Sequence, residues 1–273
     1  AIGITEREEK SMNTENIQRR LESITRKWWF FLLLILANIF LPPYVSKGFE
    51  WSEIGWITGT ILSNALVYTY TVLYPIFKII PIGFVVSIIF LRNRVTRLFS
   101  LYAAITYVLF AFLQNIAVTE EYGLGIITVN VVMFGIVAAF WFWEALAQRN
   151  DFVPQKRSAW KYWVIPLAVL AFWYPLNPDT MMPDFNPIYL LADMAGLAFC
   201  LMTPVYLAIL TLYYPNVNMA SLRVTSLVGA IIGFYNMLTN FIMFPTLLWW
   251  NGVLHIPLMT ISVYGLILSL KKR

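Results

Sequence analysis

The chain has 273 residues, 60% of them apolar and 12% charged, with a mean hydropathy of +0.70, whereas a soluble domain is near half apolar and a quarter charged. Lipid is therefore the expected solvent, and the formal charge of +5 marks membrane topology rather than a nucleic-acid partner. A single cysteine, Cys200, and a single histidine, His255, exclude an intrachain disulfide, a cysteine-rich zinc site and a bis-histidine haem, so no metal or cofactor is expected.

In hydrocarbon every backbone polar group must be bonded within the protein, and the apolar runs here are helix-length rather than alternating ten-residue segments. The fold class expected is all-α, a polytopic integral membrane bundle of about eight transmembrane helices. Patterns for nucleotide, dinucleotide, serine-hydrolase and zincin chemistry are absent from the sequence.

Residues 1–27 read as a cytoplasmic tail. From Thr14 it carries Ile17, Leu21, Ile24 and Trp28 at helical spacing, with Arg19, Arg20, Arg26 and Lys27 on the other faces, as in an amphipathic helix lying on a membrane surface. Met12 is compatible with a natural start, residues 1–11 then being a remnant. The first apolar run begins at Trp28 and is long enough to stay in the membrane, so a cleavable signal peptide is not expected.

The transmembrane domain, 28–273, is expected to hold spans at about 28–43, 56–77, 98–117, 124–147, 160–175, 187–214, 223–246 and 252–270. The stretch 56–91 is broken by Pro75, Lys78 and Pro81; it reads as one span to Phe77, followed by a re-entrant or kinked piece over 79–91. With both termini cytoplasmic, the inner segments collect Arg7, Lys10, Arg19, Arg20, Arg26 and Lys27, then Arg92, Arg94 and Arg97, then Arg149, Lys156, Arg157 and Lys161, then Arg223, and finally Lys271, Lys272 and Arg273. Lys47 falls outside and Lys78 at an uncertain depth. The outer loops hold Glu50, Glu53, Glu120, Glu121, Asp179 and Asp184.

Three short matches suggest a parallel duplication of four spans plus four, with repeats 28–147 and 160–270. Lys27-Trp-Trp pairs with Lys161-Tyr-Trp, Thr71-Val-Leu-Tyr-Pro with Thr211-Leu-Tyr-Tyr-Pro, and the run from Arg97 with the run from Arg223.

Polar residues gather at one expected depth. Counting inward from each outer end places Asn38, Asn64, Gln114, Asn115, Asn130, Asp193, Asn236, Asn240 and His255 within roughly 5–15 Å of the outer boundary. Side chains of this kind in hydrocarbon seek one another or a water-filled cavity. An outward-open pocket around Asp193 is therefore expected, with no Arg or Lys in it, and walls from Tyr68, Tyr70, Tyr107 and Tyr235. Glu144, near the inner face, is the candidate gate or second carboxylate, paired with Arg149 or another loop cation.

The function this pattern favours is secondary transport or facilitation of a small neutral or cationic organic solute bound at Asp193. One alternative is a scaffold, receptor or assembly subunit that binds lipid or partner membrane subunits; another is a lipid-modifying enzyme using Asp193 and His255 as acid and base.

Overall fold

The computed structural model describes residues 2–154 and 159–271, and the side chains of residues 2–7, 10 and 11 are not described. Lys156, Arg157, Lys272 and Arg273, expected on the inner side, lie outside the described residues. So do the side chains of Arg7 and Lys10.

The fold is helical. Among the described residues ten α-helices run in order: α1 Ile2–Thr25, α2 Trp28–Phe40, α3 Ile54–Ser63, α4 Tyr74–Leu91, α5 Thr96–Leu113, α6 Thr128–Ala147, α7 Val164–Trp173, α8 Phe199–Tyr213, α9 Met219–Leu238 and α10 Pro245–Leu270. Three short strands, β1 Tyr44–Val45, β2 Ile116–Thr119 and β3 Gly123–Ile126, form a small antiparallel sheet in the order β1-β3-β2. Among the described residues, four helical stretches are long and apolar enough to cross a membrane, or six if each bent pair counts as one span.

One of those stretches, Thr71–Leu113, contains a chain reversal. On a straight helix Phe84 and Phe99 would be separated by roughly 22 Å, yet their ring centroids are 5.8 Å apart. The chain turns at Arg92, whose φ of 52° and ψ of −124° depart from helical geometry and end α4. The membrane-length element is thus α4, displaced from the expected span over 56–77. That earlier stretch instead forms α3, which at ten residues is only about 15 Å long. Ile57 and Ile61 of α3 pack on Val45 and Ala117 of the sheet, so α3 and the strands make a cap on one end of the bundle.

The β2–β3 hairpin was not expected. Its turn, Thr119-Glu-Glu-Tyr-Gly123, closes because Gly123 takes φ 67°, a conformation that suits a residue without Cβ.

Hydrogen bonds define the two ends. At one, Arg26 donates to the Leu270 carbonyl at 3.0 Å, Arg223 donates to Thr25 Oγ1 and to the Ser269 carbonyl, each at 2.7 Å, and Asn93 donates to Asp151 at 2.8 Å. The end of α1, the α4–α5 turn, the loop after α6, the start of α9 and the end of α10 therefore meet; we call this the basic end. At the cap end, Gln114 accepts from the Phe199 backbone N–H at 2.9 Å and Trp250 donates to the Pro175 carbonyl at 2.7 Å.

Between the ends lies an aromatic core. Phe134 and Phe199 stack at 4.0 Å, and Trp141, Tyr107, Tyr206 and Phe99 are fully buried. Their polar atoms find partners there: Trp141 Nε1 donates to Thr225 at 3.1 Å, and the Tyr206 and Tyr107 hydroxyls meet Thr106 and Thr203. Tyr107 is thus a core residue and lines no open pocket. On α9 and α10, a Cβ at Gly229 or Gly265 would collide with Ser262 or Ser226, and one at Gly233 would sit tightly on Met259, the small-residue contact that lets membrane helices approach. The outer faces are apolar, with Leu33 and Ile39 of α2 and Ile79, Val86 and Phe90 of α4 exposed.

The proposed repeat loses one of its three matches. Thr71–Pro75 enters α4 at the cap end, whereas Thr211–Pro215 leaves α8 at the basic end, where the next residue, Asn216, takes the Asp151 backbone N–H. A parallel duplication would set both at the same end.

Candidate functional site

The segment 187–214, expected as one continuous span, is broken. Residues 187–190 and 194–197 form single 3-10 turns, Ala198 is extended, and α8 departs at 94° from the preceding piece. Asp193 starts the second turn, its Oδ1 accepting from the Ala195 backbone N–H at 2.6 Å. Short polar side chains compete with helix in this way by bonding the backbone two residues on.

Asp193 does not stand alone. Its Oδ1 is 2.8 Å from Lys78 Nζ, with side-chain exposures of 12% and 0%. Lys78 also donates to the Phe172 carbonyl and lies 4.5 Å from the centre of that ring, an attraction between cation and quadrupole. The expectation of a pocket free of Lys is corrected here: Lys78 sits at the cap end, one turn into α4, because the membrane-length helix begins at Tyr74. Gly196 lets the turn press on the Phe77 backbone, where any Cβ would collide. The second carboxylate oxygen, Oδ2, is buried without a hydrogen-bond partner among the described residues.

The other expected site residues fall into separate groups at the cap end. Asn236, Asn240 and His255 are brought together with two residues the sequence reading had not singled out, Tyr174 and Asn251. Tyr174 donates to Asn251 Oδ1 at 2.9 Å, Asn251 to Asn240 Oδ1 at 2.8 Å, and Asn240 to the Asn236 carbonyl at 2.7 Å. Asn236 reaches Cys200 Sγ at 3.6 Å, and His255 Nδ1 lies 2.7 Å from the Asn251 carbonyl. Tyr174 ends α7 with φ 51°, so this chain ties α7, α8, α9 and α10 beside Asp193.

Asn115 and Asn130 pair with each other at 2.8 Å, the buried Asn115 also donating to the Phe110 carbonyl. Gln114 supplies an acceptor to the Phe199 N–H, one of the orphan donors at the start of α8. Asn38 bonds Leu34 and the Met133 sulfur within α2 and α6. Asn64 is exposed and bonded to its own helix at Thr60. These five are not assembled around Asp193, and its partner is Lys78 rather than His255.

Glu144 belongs to a second polar cluster at the basic end. Fully buried, it accepts from the Asn150 backbone N–H at 2.7 Å and from Asn218 Nδ2 at 2.8 Å. Asn218 in turn accepts from Gln18 at 2.9 Å, and Gln18 accepts from Trp143 Nε1 at 2.7 Å. Amides, rather than an Arg149 ion pair, hold this carboxylate, and they fasten α1 to the bundle. A cleft of about 290 Å³ opens beside it, lined by Gln18, Arg19, Glu22, Arg149 and Asn218 among others.

Among the described residues, no group of three His, Cys, Asp or Glu side chains comes together as a metal site. The chain matches no family model, and neither a curated protein nor a solved structure shows significant similarity to it.

Proposed function

We propose that the chain is a membrane carrier or facilitator crossing the bilayer eight times, through α2, α4, α5, α6, α7, α8, α9 and α10, with the basic end cytoplasmic. Short α7 completes its crossing with the 3-10 turn over Ala159–Trp163. The support for orientation is the gathering of Arg92, Arg94, Arg97, Arg149, Arg223 and Lys271 at one end, which matches the excess of cations on cytoplasmic loops.

The observation that carries the transport reading is a buried ion pair set in a broken span. Interrupted helices that face charged groups recur where membrane carriers hold solutes and coupling ions, and an intramembrane carboxylate is expensive unless it works. Lys78 cancels the charge of Asp193, which narrows the solute to a neutral or zwitterionic organic molecule. An ammonium group would be taken by Asp193 and an acceptor by Lys78, with Tyr174 and Asn251 beside them.

Alternating exposure of the pair tests this without knowledge of the solute. A single thiol at Asp193→Cys, or at Met194→Cys, which leaves the pair intact, is placed in a Cys200→Ala background in proteoliposomes. A membrane-impermeant thiosulfonate is then applied from each side. A carrier is expected to react from both sides; a thiol reached from one side only, or from neither, ends the carrier reading.

A further inference from the structure

A groove of about 470 Å³ lies on the lipid-facing side of the bundle. Its walls are α4 and α7, and its floor is α8, where Ala208 is buried and its small side chain leaves the space open. From Ile82 to Ile89 on one wall it runs roughly 10 Å along the bundle axis. The lining is apolar throughout except for the hydroxyls of Tyr162 and Tyr213, both at the end nearest the basic end. At the other end Phe172 closes it, the same ring on which Lys78 rests.

The two ends differ in charge. Past Ile89, α4 ends at Leu91 and is followed by Arg92 and Arg94 in the α4–α5 turn, while Lys161 directly precedes the lining residue Tyr162, so three cations follow or flank the groove's basic-end residues along the chain. The carboxylate nearby, Asp151, is already engaged by Asn93 and by the Val153 backbone N–H. A narrow apolar slot closed toward the cap end and flanked by cations at the basic end is complementary to one molecule type: an acyl chain whose anionic head group stays at the interface.

We propose that this groove is a binding site for one acyl chain of an anionic phospholipid, its head group held at the Arg92, Arg94 and Lys161 rim. The site is separate from the ion pair, since Phe172 stands between them. Lipid occupancy and two-sided access to residue 193 are therefore independent measurements.

The test uses the full chain in phosphatidylcholine vesicles doped with phosphatidylglycerol or phosphatidylcholine carrying a photoactivatable diazirine on the acyl chain, with labelled residues mapped by mass spectrometry. Phosphatidylglycerol is expected to label Val85, Val169 and Ala208 several-fold more than phosphatidylcholine does, against comparable labelling of Leu33 and Ile39 on α2 by both. Arg92→Gln with Arg94→Gln is expected to erase that preference. Val169→Trp, a change on the exposed wall, is expected to remove groove labelling and leave α2 labelling unchanged. Equal labelling by both lipids in the native chain overturns the proposal, and so does an unlabelled groove, which is the result if another helix or a second copy covers it.

Discussion

Replacing Lys78 by methionine isolates the energetics of the pair. At 2.8 Å and an effective dielectric constant of about 20, the attraction is ~6 kcal/mol. Desolvating both groups offsets much of it, so the net contribution of the pair is small, whereas removing one partner strands a buried charge at a cost of roughly 3–5 kcal/mol. Lys78→Met leaves Asp193 with the Ala195 N–H alone. Asp193→Asn leaves Lys78 its carbonyl and ring partners on Phe172, and asparagine still caps Ala195. The lysine change is thus expected to be the more damaging, near 5 kcal/mol against about 3 kcal/mol. The double variant is expected to lose no more than the worse single one, a coupling of about 3 kcal/mol. Reversible unfolding by SDS titration, followed by tryptophan fluorescence, measures all four corners of this cycle. Losses that add to within about 0.5 kcal/mol would refute the reasoning, because two groups that do not interact behave that way.

Three further outcomes follow from other contacts. Gly196→Val drives a branched side chain into the Phe77 backbone and is expected to lower unfolding free energy by about 1–3 kcal/mol, as overpacking does; an unchanged denaturation midpoint would mean that the turn does not press on α4. Asn218→Ala removes the cap of α9, which accepts from Ala220 and Ser221, at about 1 kcal/mol, and also the link to Gln18. Trypsin is then expected to cut α1 at Arg19 or Arg20 faster than in the native chain, and equal rates would show that α1 is held by other contacts. Gly233→Leu would bring a Cβ to 3.0 Å from the Met259 Cα, an atom that cannot swing away, so α9 and α10 must move apart slightly and the thermal midpoint should fall; a midpoint within error of native would contradict that packing.

The apolar helices, several of them long enough to cross a membrane, and the breaks between them were legible in the sequence for one physical reason. Charge is costly at depth, so Arg92, Arg149 and Arg223 punctuate helices at positions any reader can find. Lys78 escaped because its partner lies more than a hundred residues away and its depth depended on where the second span starts. Pro75 and Pro81 looked like the wreckage of a helix that began at Trp56; instead Pro75 sits in the first turn of α4, where proline is tolerated. The hairpin had a readable signal in the turn from Thr119 to Gly123 between β-branched residues, masked by the apolar runs on either side. Depth counting grouped the asparagines at one level, but depth says nothing of azimuth. Asn115 and Asn130 face each other, whereas Asn64 faces outward.

The break at Asp193 and the ion pair are best understood as one device. A span interrupted for several residues exposes backbone donors that hydrocarbon cannot satisfy. Here side chains meet two of those donors: Ala195 is met by the Asp193 carboxylate within the span itself and Phe199 by Gln114 at the end of α5. That solution puts a negative charge at depth, which Lys78 neutralises from α4, while Gly196 admits the α4 backbone closely enough for the lysine to reach. Each part requires the next, so α4, α5 and the broken span cannot shift singly. Any movement that opens the pair must carry α4 away from the turn as a body, and it would draw Lys78 off Phe172, the residue that closes the lipid-facing groove.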